Sequence, residues 1–303
     1  MAQERERGLA SDSISSGQGF RKSRSVFIIG CGYIGGATAD FLFQEGWKVR
    51  GICATGESAR KFQDKPYLVE VCDVSSRVHL HHFSKTAPDL ILFCASSRGG
   101  GENEYRQLYL YGVCNLLEIW PTAKVLFTSS TSVYGHIDGE LVHEESVTAP
   151  IRATGKVLLE TEQKVLAAGG TVARLAGVYG PGRSALMKKF LTGTATLEAG
   201  GYRWINQIHR DDAAQALMHL ITAPLGIYNI CDDRPARQYE IYHWLADFFK
   251  RPLPPLGPPD FHRKRGWTNK CVSNQKLRAL HWVPQWPSYQ TAIPSIATTM
   301  SEQ

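Results

Sequence analysis

SVFIIGCGYIG, residues 25–35, joins a short apolar run to three glycines with the spacing GxGxxG. The apolar, β-branched residues 25–30 predict a buried strand. Residues 34–45 have the period of a helix, and Gly46 supplies a stop signal directly after them. The stretch therefore predicts a strand, a tight turn and a helix, which is the unit that opens a parallel α/β sheet.

The glycine turn has the pattern of a phosphate-binding loop. Gly30 permits the tight turn, Gly32 lets backbone amides approach a pyrophosphate, and Gly35 allows the helix to pack closely on the strand. The start of the helix adds unpaired amides and the positive end of the helix dipole. We expect this loop, with Tyr33 and Ile34, to hold the pyrophosphate of a dinucleotide.

Further apolar strands follow, separated by segments with helical character. The predicted strands are residues 48–55, 68–73, 90–96, 124–130 and 171–180, and the clearest helices are residues 104–120 and 154–168. Strands that alternate with helices form right-handed crossovers and a parallel sheet. The sequence therefore predicts an α/β fold with a Rossmann-type doubly wound parallel sheet.

The pattern changes after Pro181, where the elements become shorter. We predict helices at residues 186–191, 211–222 and 239–249, a hairpin at 196–208, a strand at 226–233 and an extended connector at 251–259. The predicted organisation is a disordered tail at residues 1–24, an NAD(P)-binding Rossmann domain at 25–180, and a C-terminal lobe at 181–303. This lobe is expected to bind substrate and to be interleaved with the last strands of the sheet.

Charge and composition restrict the classes of function. The chain has 303 residues with 34 Lys and Arg against 28 Asp and Glu, a net charge of +6. This excess suits a small polar or anionic substrate and is too mild to predict nucleic-acid binding. No apolar run reaches 18 residues, so no membrane span is expected. The oligomeric state is left open, with a homodimer as one option.

The cysteines and histidines do not predict a metal site. Seven scattered cysteines contain no CxxC pair, which favours a reducing compartment over a disulfide framework or structural zinc. His79 and His82 are interpreted as part of a solvated helix face. The basic run at residues 262–265 is interpreted as a solvated loop, with closure over an anionic substrate as the alternative. We predict a cytoplasmic protein, and the polar tail keeps an organellar location open.

The end of the second strand bears on the choice of cofactor. An acid at this point would bind the ribose 2′-hydroxyl of NAD, but the sequence reads Cys53-Ala54-Thr55. Arg60 and Lys61 follow closely and suit a 2′-phosphate, so NADP is favoured and NAD is the alternative. The competing interpretation is that both side chains form a solvated helix face.

Three residues at the ends of later strands complete the predicted cofactor set. Asp73 ends the third strand, where it could accept a hydrogen bond from the adenine amino group or cap the following helix. Ala95 and Ser96 end the fourth strand. The carboxyl ends of parallel strands form the ligand edge of an open sheet, so we include all three in the cofactor site.

A run of hydroxyls, Thr128-Ser129-Ser130-Thr131-Ser132, precedes Val133-Tyr134-Gly135 at the end of the fifth strand. Downstream lie VYGPG at residues 178–182 and HRDD at residues 209–212. Together with GxGxxG, this combination resembles the extended and atypical short-chain dehydrogenases/reductases over about residues 25–293. The closest likeness is to their NAD(P)-dependent epimerase/dehydratase branch.

The resemblance implies roles for two catalytic residues. In that family, a hydroxyl four residues before the tyrosine of VYG binds the substrate oxygen, which corresponds to Ser130. The family's active lysine, followed by a glutamate four residues on, corresponds to Lys156 and Glu160. Such a lysine bonds the nicotinamide ribose and lowers the pKa of a neighbouring tyrosine, which transfers the substrate proton.

Two positions depart from the family pattern. The proton-transferring tyrosine is expected four residues before Lys156, where the chain has Arg152. Arginine stays protonated and cannot transfer the proton, although it can bind an anion or stabilise an oxyanion. The family's asparagine on the preceding helix corresponds to Tyr109. The resemblance therefore implies an incomplete catalytic set.

Three interpretations of the catalytic set remain open. Another group replaces the missing tyrosine, with Tyr134, Tyr109, His136 and His143 as candidates; or Lys156 itself donates the proton, helped by burial and by Arg152; or the protein binds dinucleotide without turnover. We expect an NAD(P)-dependent oxidoreductase or epimerase/dehydratase-like enzyme whose small polar substrate could be linked to a nucleotide. The alternative is a catalytically inactive dinucleotide-binding regulator or interaction protein.

Overall fold

The computed structural model describes residues 24–97, 99–261 and 267–300. The predicted tail therefore lies outside the described residues except for Arg24, and the basic run at 262–265 lies wholly outside them. Seven strands form the central sheet: β1 Ser25–Ile29, β2 Lys48–Cys53, β3 Leu68–Val71, β4 Leu90–Phe93, β5 Lys124–Ser130, β6 Thr171–Leu175 and β7 Ile227–Ile230.

The sheet is parallel throughout, with the strand order β7-β6-β5-β4-β1-β2-β3. Ile29 at the end of β1 pairs with Ile52 of β2 on one side and with Phe93 of β4 on the other. The order reverses at β1, so the crossovers to β2 and to β4 leave in opposite directions. This reversal opens a crevice at the carboxyl ends of β1 and β4, and it confirms the Rossmann-type fold.

Helices cover the sheet on both faces. They are α1 Tyr33–Gln44, α2 Gly56–Arg60, α3 Arg77–His81, α4 Glu102–Tyr105, α5 Gly112–Ile119, α6 Ala153–Ala167, α7 Ala185–Leu191, α8 Arg210–Leu220, α9 Gln238–Phe249, α10 Gln275–Arg278 and α11 Tyr289–Met300. Helix α1 packs against α8, whereas α5 packs against α3 and α6. The inner strands, such as β1 and β4, are buried on both faces, which explains their nearly continuous apolar sequences, whereas the edge strand β3 is partly exposed.

One predicted helix is interrupted. The segment expected to be a single helix at residues 104–120 begins at Glu102, after Gly101, and contains a π-helical turn at Arg106–Tyr111 between α4 and α5. The Glu104 carboxylate accepts a hydrogen bond of 2.8 Å from the Gly101 amide and so fixes the start of α4. A π-helical turn shifts the facing of every later side chain, which helical periodicity alone does not reveal.

From residue 176 onward, the described structure differs from the prediction in two places. The sixth strand, expected at 171–180, stops at Leu175, and Gly177–Tyr179 leaves the sheet to pair with Gln207–His209. The predicted hairpin at 196–208 is wrong, because its parts pair with distant segments. Leu197–Glu198 pairs with Leu256–Gly257, and Trp204–Ile205 pairs with Ala236–Arg237.

The buried apolar residues form two clusters. The larger one lies on both faces of the central sheet. The second lies among α7, α9 and α11, and is formed by residues such as Met187, Leu245 and Ile293. The boundary at residue 180 stays a prediction, because β7 completes the sheet from within the C-terminal lobe. In the part of the chain that is described, every helix is too short or too polar to cross a bilayer.

Candidate functional site

A cleft of about 980 Å³ lies at the carboxyl ends of the central strands. Of the residues that the sequence predicts to bind or act on ligands, those that line the cleft are Gly30, Gly32, Tyr33, Ile34, Lys61, Asp73, Ala95, Ser96, Tyr109 and Ser130. Those that lie outside its lining are Gly35, Arg60, Tyr134, His136, His143, Arg152 and Lys156. The structure thus gathers most of the predicted cofactor residues and separates the predicted catalytic ones.

The glycine loop is closely packed on one side and open on the other. Gly30 has φ +82°, and a Cβ there would lie 2.2 Å from the Cα of Ala95. A Cβ on Gly35 would lie 2.4 Å from the Gly30 oxygen, so this glycine lies beneath the loop. At Gly32 the nearest atom to such a Cβ is 3.9 Å away. The backbone is therefore accessible at Gly32, where the packing of the loop leaves room for a ligand.

The start of α1 is suited to an anion. Gly32 is the N-cap residue and has no side chain to cap the helix, and the first turn contains no acidic residue. The amides of the first turn, beginning with Tyr33 and Ile34, therefore lack intrahelical partners and point toward the cleft end of the helix. Unpaired amides and the helix dipole together favour a phosphate at this point.

After β2, one of the two predicted basic residues lines the cleft. Ser58 and Lys61 line the cleft, whereas Arg60 is exposed and does not. The Thr55 hydroxyl accepts a hydrogen bond of 3.3 Å from the Ser58 amide and caps α2. The Nζ atom of Lys61 lies 3.8 Å from a carboxylate oxygen of Glu57, in an exposed pair that contributes little.

Asp73 lies at the cleft and also forms a local turn. Its Oδ1 atom accepts hydrogen bonds from the amide and the hydroxyl of Ser75, at 2.9 and 2.8 Å. This is the hydrogen bonding of a local Asx turn. The residue that caps α3 is Ser76, so the interpretation of Asp73 as the helix cap is wrong. Both Asp73 and the adjoining Leu108 also line a smaller cavity of about 280 Å³.

The hydroxyl run at the end of β5 forms the other end of the cleft. The Ser130 Oγ atom accepts a hydrogen bond of 3.2 Å from the Ser132 amide, and both residues line the cleft. Thr128 donates a hydrogen bond of 2.9 Å to the oxygen of Phe93. Ser129 donates one of 2.5 Å to a carboxylate oxygen of Glu162. Two neighbouring hydroxyls are thus tied to the core, and Ser130 is presented at the cleft.

Tyr134 belongs to the core and not to the cleft. It is fully buried, and its hydroxyl donates to Asn229 Oδ1 at 2.9 Å and accepts from Arg174 Nη1 at 2.8 Å. Burial raises the pKa of Tyr134, with the Arg174 charge acting in the opposite direction. The interpretation of Tyr134 as the replacement proton donor therefore lacks a geometric basis, because its hydroxyl is already bonded and turned away from any ligand.

Tyr134 is part of a buried polar network under the hydroxyl run. Arg174 and Glu162 form an ion pair with a shortest contact of 2.7 Å, and both side chains are at most 3% exposed. Glu144 accepts a hydrogen bond of 2.7 Å from the Asn229 amide, and burial raises the pKa of this carboxyl group. The network joins β5, β6, β7 and α6, and so fixes the position of the strand end that carries Ser130.

The start of α6 carries two of the predicted catalytic residues, Arg152 and Lys156. Arg152 is the N-cap residue, and its Nη2 atom donates a hydrogen bond of 2.8 Å to the oxygen of Phe261. Lys156 is exposed, so the burial that would make it a proton donor is absent. Glu160 accepts a hydrogen bond of 2.9 Å from Arg106. Neither Arg152 nor Lys156 contributes to the cleft lining.

The two histidine candidates also lie outside the cleft lining. His143 is exposed, and its Nδ1 atom lies 3.0 Å from a carboxylate oxygen of Glu145. His136 has a buried Nδ1 atom without a hydrogen-bond partner among the described residues, and its ring meets the Tyr134 ring edge-on at 6.4 Å. Of the four candidates for the missing tyrosine, this leaves Tyr109 at the cleft.

Tyr109 is placed at the cleft by the π-helical turn. Its side chain is 7% exposed, and its hydroxyl accepts a hydrogen bond of 3.4 Å from the Ser97 amide. The ring lies 4.9 Å from that of Tyr105 and 6.1 Å from that of Phe93, between centroids. A tyrosine hydroxyl and the Ser130 hydroxyl thus line the same cavity.

The cleft is also lined by two cationic residues to which no role was assigned from the sequence. Arg183 follows the VYGPG motif and Arg210 lies within HRDD, and both contact the ring of Tyr33. The motifs were visible in the sequence, but neither indicates which side chain turns toward the glycine loop. Over the described ranges 24–97, 99–261 and 267–300, three metal-ligating side chains do not come together at any point.

Comparison with known proteins gives consistent results. The model of the NAD dependent epimerase/dehydratase family matches residues 26–231. Protein YeeZ of Escherichia coli (strain K12) is 33% identical over 254 residues, which cover 78% of this chain and 86% of YeeZ.

Solved structures share the fold at lower identity. UDP-glucose 4-epimerase of Thermotoga maritima, solved with UDP-glucose, has a TM-score of 0.79 at 18% identity, over 92% of this chain and 99% of that one. The dTDP-glucose 4,6-dehydratase of Bacillus anthracis, in complex with NAD, has a TM-score of 0.78 at 18% identity, over 93% and 97%. At these identities the likeness establishes the fold alone.

Proposed function

The chain belongs to the NAD-dependent epimerase/dehydratase family, in agreement with the sequence resemblance, and from this premise we propose an NADP(H)-dependent oxidoreductase or epimerase/dehydratase-like enzyme. Its substrate is a small polar or anionic molecule, and the UDP-glucose in a structural neighbour makes a nucleotide-linked sugar a reasonable first candidate. The observation that carries the proposal is one continuous cleft, which includes both the glycine loop and the hydroxyls of Ser130 and Tyr109.

The dinucleotide would lie along the strand ends. The pyrophosphate fits the amides at the start of α1, where Gly32 leaves room and the first turn carries no acid. Asp73 and Ser96 both line the cleft, and in this proposal Asp73 would bind the adenine amino group. When bound, this cofactor supplies or removes a hydride at its nicotinamide ring.

A preference for NADP is supported by side chains at the end of β2. No carboxylate follows Cys53 directly, and Ser58 with Lys61 lines the cleft there. A lysine and a hydroxyl suit a 2′-phosphate, whereas a 2′-hydroxyl is usually bound by a carboxylate that accepts its hydrogen bond. Of the two basic residues that the sequence suggested for this role, Lys61 lines the cleft and Arg60 does not.

For proton transfer we propose Tyr109 together with Ser130. Ser130 would bind the substrate oxygen, and Tyr109 would give a proton to that oxygen or take one from it as the carbon is reduced or oxidised. Tyr134 is committed to the core, and His136, His143 and Lys156 lie outside the cleft lining, so Tyr109 is the candidate that geometry supports. In this proposal, Tyr109 on the π-helical turn that packs against α6 replaces the missing family tyrosine.

The second candidate function is dinucleotide binding without turnover. It is favoured by a specific observation: Arg152 is engaged with the Phe261 oxygen and Lys156 is exposed, so the family's usual catalytic helix contributes neither group to the cleft. A protein of this kind would bind the dinucleotide and act as a regulator or interaction protein without converting a substrate.

Titration and turnover assays separate these proposals. Calorimetry with NADP⁺ and NAD⁺ should show tighter binding of NADP⁺, and Lys61→Gln should weaken NADP⁺ by about tenfold, as expected for one lost charged hydrogen bond. Arg60→Gln is the matched control and should leave both affinities unchanged. Equal affinity for the two dinucleotides would contradict the 2′-phosphate proposal.

Oxidation of NADPH with a panel of carbonyl compounds and nucleotide sugars tests for turnover. If a substrate is found, Tyr109→Phe should lower kcat by at least about a hundredfold with little change in KM, because it removes only proton transfer. Tyr111→Phe, an exposed residue of the same π-helical turn, is the control. Binding without turnover on the whole panel would favour the second candidate function.

A further inference from the structure

Two arginines from the C-terminal lobe rest on the ring of Tyr33. The guanidinium carbon of Arg183 lies 5.0 Å from the ring centroid, and that of Arg210 lies 5.3 Å from it. Both side chains line the cleft together with the backbone of the glycine loop. Because the Tyr33 amide is the first of α1, the two guanidinium groups lie beside the helix end where a phosphate is expected.

The turn that carries Arg183 is fastened to α1. Its first and last residues, at 180 and 183, exchange two backbone hydrogen bonds of 2.8 and 2.9 Å. The Tyr33 hydroxyl donates a hydrogen bond of 3.1 Å to the oxygen of Pro181. The amide of Gly182 donates one of 3.0 Å to the Thr299 hydroxyl on α11. The position of Arg183 is therefore set by the fold and not by a free loop.

Close packing at Gly180 keeps the turn near the glycine loop. This residue has φ +151°, and a Cβ there would lie 2.9 Å from the Tyr33 hydroxyl and 3.1 Å from the Cβ of Arg210. The backbone of the turn, the tyrosine and the second arginine thus meet at one point. Only a residue without a side chain allows this approach.

The balance of charge at this point is positive. Arg210 begins α8, and its Nε atom donates a hydrogen bond of 2.7 Å to Asp211, which neutralises one of the two cations. Arg183 is exposed and rests on the aromatic ring. The acidic residue of α1 is Asp40. Its carboxylate accepts hydrogen bonds of 2.8 Å from Lys65 and 2.7 Å from the Tyr67 hydroxyl.

We propose that the diphosphate of the dinucleotide is bound from two sides: by the amides at the start of α1, and by the guanidinium groups of Arg183 and Arg210 from the C-terminal lobe. Stacking on an aromatic face leaves the N–H edge of a guanidinium available, and that edge matches two phosphate oxygens. Neutral amides and a helix dipole offer only partial charges to an anion that carries two. Tyr33 acts as the platform that positions both arginines.

This inference rests on the proposed function, since it assigns a second wall to the same cofactor site. It also predicts that cofactor binding ties the C-terminal lobe to the sheet, because the two walls come from different parts of the chain. The shared chemistry is a phosphate anion, and that anion could belong to the cofactor or to a substrate. Titration without substrate distinguishes these two sources.

The test uses calorimetry on the full chain with NADP⁺ and with ADP-ribose, which carries the diphosphate but no nicotinamide. We expect Arg183→Gln and Arg210→Gln each to weaken ADP-ribose by about tenfold and the double variant by about a hundredfold. The double variant Lys188→Gln/Lys189→Gln removes the same charge from exposed positions on α7 and is the control. Tyr33→Phe keeps the ring and should stay within about threefold of the wild type, whereas Tyr33→Leu should lose about tenfold.

Each alternative outcome overturns the inference in a different way. If ADP-ribose binds the double arginine variant within twofold of the wild type, the arginines do not hold the cofactor diphosphate; a rise in the KM of a substrate alone would then assign them to the substrate. An equal loss in the lysine control would show a long-range effect of net charge. If the wild type binds neither ligand, the proposed function fails first and this inference with it.

Discussion

The two ends of the cleft are built from different parts of the chain. At the glycine loop, the ligand surface is backbone, and its shape depends on the absence of side chains at Gly30 and Gly32. At the hydroxyl end, the surface consists of side chains such as Ser130 and Tyr109, whose positions depend on the elements beneath them. A backbone surface follows from a local sequence motif, whereas a side-chain surface follows from the packing of several elements.

The same difference explains where the family pattern is kept and where it is lost. The backbone amides of the GxGxxG loop are available to a phosphate whichever side chains surround them, and the proposed arginines would add to that binding. The catalytic end needs a tyrosine and a lysine aligned on one face of α6, and the chain has Arg152 and an exposed Lys156 there. In the function proposed above, the chain keeps the binding half of its family and replaces the reactive half.

Breaking the support of the hydroxyl end should have the largest effect on stability. Glu162→Ala leaves the Arg174 charge buried without its carboxylate partner, and loss of one member of a buried ion pair costs about 3–5 kcal/mol. It also removes the acceptor of the Ser129 hydroxyl. Urea unfolding should show this loss of the free energy of unfolding.

The matched control lies two residues away on the same helix. Glu160 pairs with Arg106 at the surface, and Glu160→Ala should cost less than about 1 kcal/mol. Should the two variants unfold at the same urea concentration, the network under β5 would not be what holds the hydroxyl end in place.

The glycine loop should show a contrast between two neighbouring glycines. Gly30→Ala places a methyl group 2.2 Å from Ala95 at φ +82°, so we expect a loss of about 3 kcal/mol in the free energy of unfolding. Gly32→Ala meets no atom closer than 3.9 Å and should leave stability within about 1 kcal/mol, while ADP-ribose binding weakens by at least about tenfold.

Urea unfolding and calorimetry on both variants decide the matter. We expect the Gly30 variant to change mainly the free energy of unfolding and the Gly32 variant to change mainly ADP-ribose binding. Gly32→Ala with unchanged ADP-ribose affinity would show that the ligand does not approach the loop from its open side.

The fold was readable from the sequence because its elements repeat one local rule. Buried parallel strands are continuous apolar runs, and each of the seven central strands overlaps a predicted one. The hairpin at 196–208 failed because its short strands pair with residues 236–237 and 256–257, and pairing between distant segments leaves no local pattern.

The reactive end could be read only in part for a related reason. The strand end placed Ser130 correctly at the cleft, but nothing in the sequence separated it from Tyr134, which turns into the core to bond Asn229 and Arg174. The position of Tyr109 depends on a π-helical turn, and the two arginines on Tyr33 depend on how the C-terminal lobe meets α1.

A smaller effect should distinguish the two regions by their response to acid. His209 lies against the Trp286 ring at 3.8 Å, next to the turn that carries Arg183, and burial lowers its pKa to about 4. The unfolded chain takes up this proton near pH 6.5, but the folded chain does so only near pH 4, so stability is lost as the pH falls through that window. Between pH 7 and 5, His209 lowers the free energy of unfolding by about 2 kcal/mol.

Neighbouring carboxyl groups act in the opposite direction, so the test is a difference between variants. Burial raises the pKa of Asp212 and of Asp232, and acid therefore adds stability through them. His209→Gln keeps both carboxyl groups and should lose about 2 kcal/mol less than the wild type between pH 7 and 5, as measured by urea unfolding. His79→Gln, at an exposed site on α3, is the control. Parallel curves for all three proteins would mean that the imidazole is solvated, and that the region behind the glycine loop is no more sensitive to acid than the hydroxyl end.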